Sequence, residues 1–471
     1  MSKREDYGLW TFLLPLPRSK SKRERLLKTM FSTDTVLEIL KLFNLDTILC
    51  QKDIVNKLSI HSNKTVLRAL KELVETGVLL EEYIESKTPS GRRIKLKCYR
   101  LSLLGKWLYM LTSSPSTIGI DRLRKELLEL YTLLGESIAN SYIELNIDPN
   151  EVIKSMLKGA ITALLKSSPS HVVADIVVIG SIAMDYHVEL AKDFYNPITM
   201  EPGGSGANIA SMISRLGLTT KLVSSIGLDY EGFLSILSLY NNDIDLSNIV
   251  VYDDKSTIKV LIIHRGIDVE LKKLVGRQVA IAPESTLIEW DKVNGKIYYA
   301  GDTYVENALR IGIKALNEDR LFVYSPLREI IEYSPKNVVR IIVECKPLLI
   351  LNEEALASLL RNTGLGPRDI VNLGVRALVV TKGSRGLTLY SRSSIIDYKP
   401  LEVKVIDPTG AGDVLVSYML WRIHRGDNIV NALRWGAAAS SLAVTRIGAR
   451  YLPKPEVVEE KLDRVEVISR K

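Results

Sequence analysis

From residue 171 onward the chain alternates short apolar, β-branched runs with amphipathic stretches of helical period, and that alternation is what most constrains its fold. Strands separated by helices build a parallel sheet with helices on its faces, because each parallel connection has to cross back over the sheet. Residues 172–180 read as a strongly apolar first strand, and 296–301 and 321–324 as further core strands. Residues 401–405 read as a short strand that feeds an apolar helix starting near Val414. Between 248 and 283 lie three more β patterns, 249–251, 257–263 and 269–274, the last after the turn Arg265-Gly266. Residues 461–471 read as a C-terminal tail.

With 471 residues the chain holds two or three domains. Hydrophobic residues make up 46%, enough for real cores, and no run of 18 apolar residues offers a membrane span. The apolar stretch 9–17 contains two prolines and precedes its basic residues, the reverse of a signal peptide. Cys50, Cys98 and Cys345 are far apart in sequence and odd in number, which fits a reducing cytoplasm and no metal site. The positive charge is localised. Residues 1–120 hold 21 Lys and Arg against 12 Asp and Glu, and the remainder 42 against 43. The first segment therefore points to a polyanionic partner.

Residues 1–27 read as a basic, solvated tail and 28–112 as a small domain of three helices and a hairpin. Ser32 or Thr33 would cap the first helix, residues 51–58 form the second, and His61-Ser62-Asn63 caps the third, 64–75. In the third helix Val66, Leu70 and Leu73 share one face, and Lys64, Arg68 and Lys71 share the opposite one. Residues 78–84 and 93–101 read as strands joined by the turn Pro89-Ser90-Gly91, with basic residues along the second. This order resembles a winged helix-turn-helix, which implies duplex DNA as partner, met by Asn63, Lys64, Arg68 and Lys71. A protein–protein or dimerisation module with a solvated basic face is the alternative. Residues 113–170 read as a helical linker, broken near 146–150, suited to pairing in a homodimer.

The loop 406–413, Ile-Asp-Pro-Thr-Gly-Ala-Gly-Asp, joins the strand at 401–405 to its helix. Backbone N–H groups at a helix start bind anions, and Gly410 and Gly412 let a phosphate approach closely. Asp413 would repel that phosphate, a cost that makes sense if it takes a proton from an attacking hydroxyl. Asp407 to Asp413 resembles the second signature of the PfkB-type, ribokinase-like carbohydrate kinases. Gly203-Gly204-Ser205-Gly206-Ala207-Asn208-Ile209-Ala210 resembles their first signature, G-G-x-x-x-N-x-A, and 224–232 their next segment. Residues 347–355 resemble the N-x-x-E segment, although the expected Glu falls on Ala355, leaving Glu353 and Glu354 as stand-ins. Tyr324 stands where many relatives carry Asp, while Arg328 is present. The resemblance spans about 172–456 in the family's order.

The resemblance implies an α/β fold over 171–460, a three-layer α/β/α sandwich with a small β lid formed by the strands of 248–283. It implies ATP and Mg²⁺, and a sugar or nucleoside hydroxyl as acceptor. Asp413 would be the base, with Gly410, Ala411 and Gly412 offering N–H groups to the phosphoryl. Asp185, Gly203, Gly204, Asn208 and Arg328 would meet the substrate. Thr381, Gly383, Gly386, Thr409, Gly410 and Gly412 would meet ATP, and Asn352 with Glu353 or Glu354 would organise Mg²⁺. Two roles stay open: a kinase coupled to a DNA-binding domain, or a ligand-sensing regulator that keeps a kinase fold.

Overall fold

The computed structural model describes residues 21, 22, 24–26, 28, 34–87, 92–112, 120–191, 194–265, 268–274 and 279–470. The expected caps Ser32 and Thr33, the turn 89–91, Gly266 and residues 1–20 of the basic tail lie outside them. The chain divides into two units, Met1–Ile153 and Lys154–Lys471.

In the first unit the helices Asp34–Lys41, Gln51–Lys57 and Asn63–Glu75 close over a core of Ile39, Ile54, Val66, Leu70 and Leu73. Ser62 caps the third helix, its Oγ accepting the Thr65 N–H at 3.1 Å. Strands β1 (Leu49–Cys50), β2 (Leu79–Lys87) and β3 (Arg93–Leu101) form an antiparallel sheet in the order β1-β3-β2. The basic strand β3 faces an acidic neighbour: Lys97 pairs with Glu81 at 2.7 Å and Arg100 with Glu82. The expectation of unpaired cysteines is corrected. Cys50 and Cys98, 48 residues apart, sit opposite one another on β1 and β3 and are joined as a disulfide. Sequence separation does not measure distance across a sheet. Cys345 is free and buried.

The helices Ile120–Leu145 and Pro149–Ser167 follow, with Asn146 at φ 56° between them. The linker expected over 113–170 does not end at 170 as a spacer. From Lys154 the second helix is part of the second unit, where Ile161 is buried and Leu157, Leu164 and Leu165 pack against the same core.

In the second unit the strands are β4 (Ala174–Ile179), β5 (Ala183–Ala191), β6 (Phe194–Gly203), β7 (Thr220–Gly227), β8 (Asp245–Tyr252), β9 (Ile258–Arg265), β10 (Asp268–Leu274), β11 (Gly295–Ala300), β12 (Leu321–Tyr324), β13 (Leu348–Asn352), β14 (Ala377–Thr381), β15 (Leu387–Tyr390), β16 (Ile395–Tyr398) and β17 (Val467–Arg470). Among the described residues ten of them form one sheet, ordered β17-β16-β15-β14-β13-β12-β11-β4-β7-β8. From β14 to β8 all pairs are parallel; β15, β16 and β17 add an antiparallel edge. The strands are apolar on both faces, as a sheet covered on both sides requires. Ile176, Val178, Leu222 and Val379 point to the helices Ser205–Arg215, Ala411–His424 and Ile429–Ala443. Val177, Ile179, Phe322 and Leu351 point to Val305–Asn317, Pro335–Cys345 and Glu353–Thr363. The result is the expected α/β/α sandwich.

Three expectations change. Residues 249–251 belong to β8 on the main sheet, while β9 and β10 join β5 and β6 in a separate four-stranded sheet, β10-β9-β5-β6. Residues 401–405 form no strand: the Leu401 N–H goes to Ser441 Oγ at 3.1 Å and the Ile406 N–H to Val444 O at 2.7 Å, so this segment runs along a helix. The tail 461–471 supplies the edge strand β17. No helix among the described residues is long and apolar enough to cross a membrane.

Ile161 lies 1% exposed in the core of the second unit. Ile161→Ala is expected to lower the stability of that unit by about 2–4 kcal/mol, the usual cost of a large-to-small change in a packed core, read by urea denaturation. A cost below about 0.5 kcal/mol would show that the helix only lies against the unit.

Candidate active site

The chain leaves β4 for β7 and β8 on one side and later returns to β11 on the other, so the strand order reverses between β4 and β11. In an open α/β sheet the crevice for ligands lies beyond the carboxyl ends at that reversal. Ser181, just past β4, there donates to Asp302 Oδ2, just past β11, at 3.1 Å.

Two helix starts converge on this crevice. The helix Ser205–Arg215 begins after Gly203 and Gly204, and a Cβ on Gly203 would run into the Asp185 carboxylate. Glycine is therefore what lets Asp185, on β5, lie against the turn. The helix Ala411–His424 begins at Gly410, whose φ of 77° is left-handed and whose Cβ would meet Ala449 O. Both strain and space demand glycine there. Asp413, in the first turn, then reaches across to the other helix. Ser205 Oγ donates to its Oδ1 at 2.6 Å and Asn208 Nδ2 to its Oδ2 at 3.0 Å. The expected substrate residues Asp185, Gly203, Gly204 and Asn208 and the expected base Asp413 thus share one place.

Burial dominates the electrostatics of this group. It raises the Asp413 carboxyl to about 6, against the opposing pull of the Ser205 and Asn208 hydrogen bonds; Asp302 adds to the rise and Arg450 reduces it. Asp185, 6% exposed, is pushed up to about 7 by burial, with Arg450 opposing and Asp413, Glu201 and Asp407 contributing. Glu201 sits opposite Asp185 in the β5–β6 register. Burial lowers the Arg450 guanidinium to about 10 while these acids hold it up.

The other expected residues stand along the same carboxyl edge, over β12 to β14. Asn352 and Thr381 end neighbouring parallel strands in register. Gly383 opens the short turn Gly383–Arg385, and Gly386 follows it at φ 86°. Glu353 holds Arg385 of that turn through both oxygens at 2.6 Å, and Glu354 pairs with Arg328 at 3.6 Å. Arg328 also pairs with Glu332. The ion pairs tie Arg328 to the Glu354 side rather than to the Asp185 group. Asn352 spends its Oδ1 on the Ala355 N–H at 2.8 Å, as a helix cap. Ala355 and Tyr324 are both buried in the core, so neither position faces the edge. Among the described residues no group of three or more His, Cys, Asp or Glu is arranged to hold a metal.

In the loop itself Thr409 N–H and Gly448 N–H both go to Asp407, at 2.9 and 3.0 Å, which fixes the turn. Ala411 N–H lies 3.3 Å from Pro408 O, so of the three expected donors it is partly spent. Gly412 and Asp413 offer first-turn N–H groups that have no intrahelical acceptor by position.

Ser205, Glu201, Asp302 and Arg450 also belong to this group, and sequence reasoning passed them over. Ser205 occupies a variable position of the first signature. Glu201 lies on a strand, β6, whose pattern is masked by Pro197 and Pro202. Arg450 carried no signal beyond its place after Gly448.

Comparisons with known proteins bear on the family and the fold. The nucleoside kinase of Methanocaldococcus jannaschii is 28% identical over 301 residues, covering 61% of this chain and 97% of that protein. A solved structure of that nucleoside kinase superposes with a TM-score of 0.52 at 26% identity, over 61% of this chain and 98% of that one. The fructokinase of Xylella fastidiosa, solved with bound ATP, shares the fold at a TM-score of 0.52 and 18% identity, over 61% and 98% of the two chains. Residues 173–456 match the pfkB family carbohydrate kinase profile, and with that match over more than half its length the chain belongs to the pfkB family of carbohydrate kinases, as a phosphotransferase.

Proposed function

We propose that this protein transfers a phosphoryl group from ATP to a hydroxyl of a sugar or nucleoside, with Asp413 as the base. The observation that carries this reading is the placement of Asp413 at a helix start, held by Ser205 and Asn208 with Asp185 alongside. Asp185 and Asn208 are buried and able to take or give hydrogen bonds to vicinal hydroxyls. The first-turn N–H groups of Gly412 and Asp413, with Gly410 and Thr409 beside them, suit the phosphoryl oxygens. Thr381, Gly383 and Gly386 suit the nucleotide. The kinship with a nucleoside kinase supports a nucleoside acceptor. A kinase that draws on cellular ATP is expected in the cytoplasm, although the Cys50–Cys98 disulfide is of a kind uncommon there.

Mg²⁺ would neutralise charge on the phosphates when bound. The described residues supply no all-protein cage for it, which fits an ion that keeps its waters and rides on ATP beside one or two carboxylates, here Glu353 or Glu354 near Asn352. Both glutamates are engaged by arginines, and Ala355 is buried where an acid was expected. That observation favours the second reading, a ligand sensor with weak turnover.

Full-length protein assayed with ATP and a panel of nucleosides and sugars decides between the two. Asp413→Asn is expected to lower kcat about 10²-fold or more while ATP affinity by calorimetry is unchanged. A residual above a tenth would remove Asp413 as base. Because the base must be ionised, kcat/KM is expected to fall about tenfold per pH unit below about 6, the value to which burial raises Asp413.

Asp185 makes an opposite demand on stability. Its folded pKa of about 7 lies above the ordinary 3.8, so its burial is free of penalty while protonated. The cost enters as pH rises past 3.8 and is complete above about 7. Asp185→Asn is therefore expected to raise the Tm of the ligand-free protein at pH 8 by at least about 2 °C more than at pH 4, while weakening substrate binding. Equal shifts at both pH values would contradict it.

For the first unit we infer a winged-helix role in binding duplex DNA. Asn63, Lys64, Arg68 and Lys71 are exposed on one helix, which supports contact with phosphates. Arg68 and Lys71 are, however, held by Glu72 at 3.5 Å and Glu75 at 3.8 Å, and β3 by the acids of β2, so part of the charge is already answered. Exposed Leu128 and Tyr131 on Ile120–Leu145 suit a homodimer. The full-length protein is expected to shift mixed-sequence duplex DNA at about 50 mM salt, with log K falling about 0.9 per phosphate contact against log salt. Arg68→Ala with Lys71→Ala should flatten the slope by about two contacts. Salt-insensitive self-association in sedimentation, with no shift, would leave a dimerisation module.

A further inference from the structure

Arg450 follows Gly448 and is anchored at both ends. Its carbonyl accepts from Arg215 Nη1 at 2.9 Å, its Nε donates to Asn208 Oδ1 at 2.8 Å, and its Nη1 donates to Ser238 Oγ at 2.8 Å. Asn208 passes the contact on, donating from Nδ2 to Asp413 Oδ2 at 3.0 Å. A side-chain amide can turn over and exchange its oxygen and nitrogen, so Asn208 alone has no fixed polarity. A guanidinium has only donors, which settles the matter: the oxygen must face Arg450 and the nitrogen Asp413. With the amide reversed, its oxygen would face Asp413, and that contact is favourable only when Asp413 carries a proton.

We propose that Arg450 is a positioning residue that latches the Asn208 amide so that its Nδ2 faces Asp413 and keeps that carboxylate a proton acceptor. The inference rests on the reading of Asp413 as base, but the latch itself is a statement about orientation. The charges around Asp413 give it a task. Asp302 and Asp185 bear on it from the ends of β11 and β5, with Glu201 and Asp407 acting on Asp185 in turn, and Tyr299 lies close on β11. Against these acids stands Arg450, with Arg215 behind it. An amide free to reverse would let the acids push the proton onto Asp413. Arg450 thus serves the chemistry without touching the reacting atoms.

The test reads the Asp413 carboxyl in ligand-free full-length protein by carbon NMR with labelled aspartate, its signal identified by Asp413→Asn. Arg450→Met is expected to raise the Asp413 midpoint by about one pH unit or more, a tenfold change in proton affinity. Arg450→Lys, which restores a charged donor, is expected to recover at least half the shift. In an Asn208→Ala background Arg450→Met is expected to add less than half of its single effect, since the latch acts through the amide. The acid limb of kcat/KM should move with the midpoint. Should Arg450→Met fail to fold, Arg450→Gln carries the same expectation of a raised midpoint. An unmoved midpoint in the variant that folds, or an undiminished effect without Asn208, overturns the latch. Because the midpoint is read without turnover, an active Asp413→Asn enzyme would defeat the base reading and leave this result to stand or fall alone.

Discussion

The second unit depends on bringing two helix starts together over the point where the strand order reverses. A carboxylate in that position is costly to bury, and Asp413 is tolerated because two donors from the facing helix meet it. Ser205 and Asn208 belong to one helix, Asp413 to the other, and 205 residues separate Asn208 from Asp413. The same contact also orients the helices. A shift of either along its axis would leave a charge without its hydrogen bonds, which costs more than an apolar mismatch of the same size. Packing alone does not require this register; the polar contact selects it.

That economy has a consequence for stability. Asp185 and Asp413 both sit where burial raises their pKa, so ionising them as pH rises works against the fold. Sites that bind hydroxyls and move protons are strained in this way, and removing the charge stabilises the fold while spoiling the task. Arg450 relieves part of the strain, being itself pulled down to about 10 by the same burial. The three groups are best regarded as one charge system whose balance a bound substrate then alters.

Much of the fold was legible because its signals are local. The apolar runs of β4, β11 and β12 and the glycine-bounded starts at Ser205 and Ala411 fall where expected. What was missed depends on neighbours distant in sequence. β6 carries Pro197 and Pro202, and its place in a sheet comes from pairing with β5, which in turn pairs with the distant β9. β17 reads as a tail because an edge strand of four residues takes its hydrogen bonds from β16. Residues 401–405 have strand composition, yet the Leu401 N–H and that of the following Ile406 go to a helix instead. At the site, Asp185, Asn208 and Asp413 came from motifs. Arg450 came only from geometry, since a lone arginine after a glycine has no pattern to mark it.

The two Glu–Arg pairs along β12 to β14 bear on how far the chain has kept its chemistry. Glu353 with Arg385 and Glu354 with Arg328 place acid and base where phosphates and their metal would compete for both. Glu353 and Arg385 are both well exposed, so the pair is worth little by itself and opens at small cost. A triphosphate offers Arg385 and Arg328 a stronger partner than a carboxylate does, and its metal offers Glu353 and Glu354 the same exchange. On the proposed reading these ion pairs hold Arg328, Arg385 and the two glutamates along one edge until ATP exchanges them. On that reading the absent acid at Ala355 bears on the hold on the metal, whereas Asp413 stands in the separate group with Ser205 and Asn208.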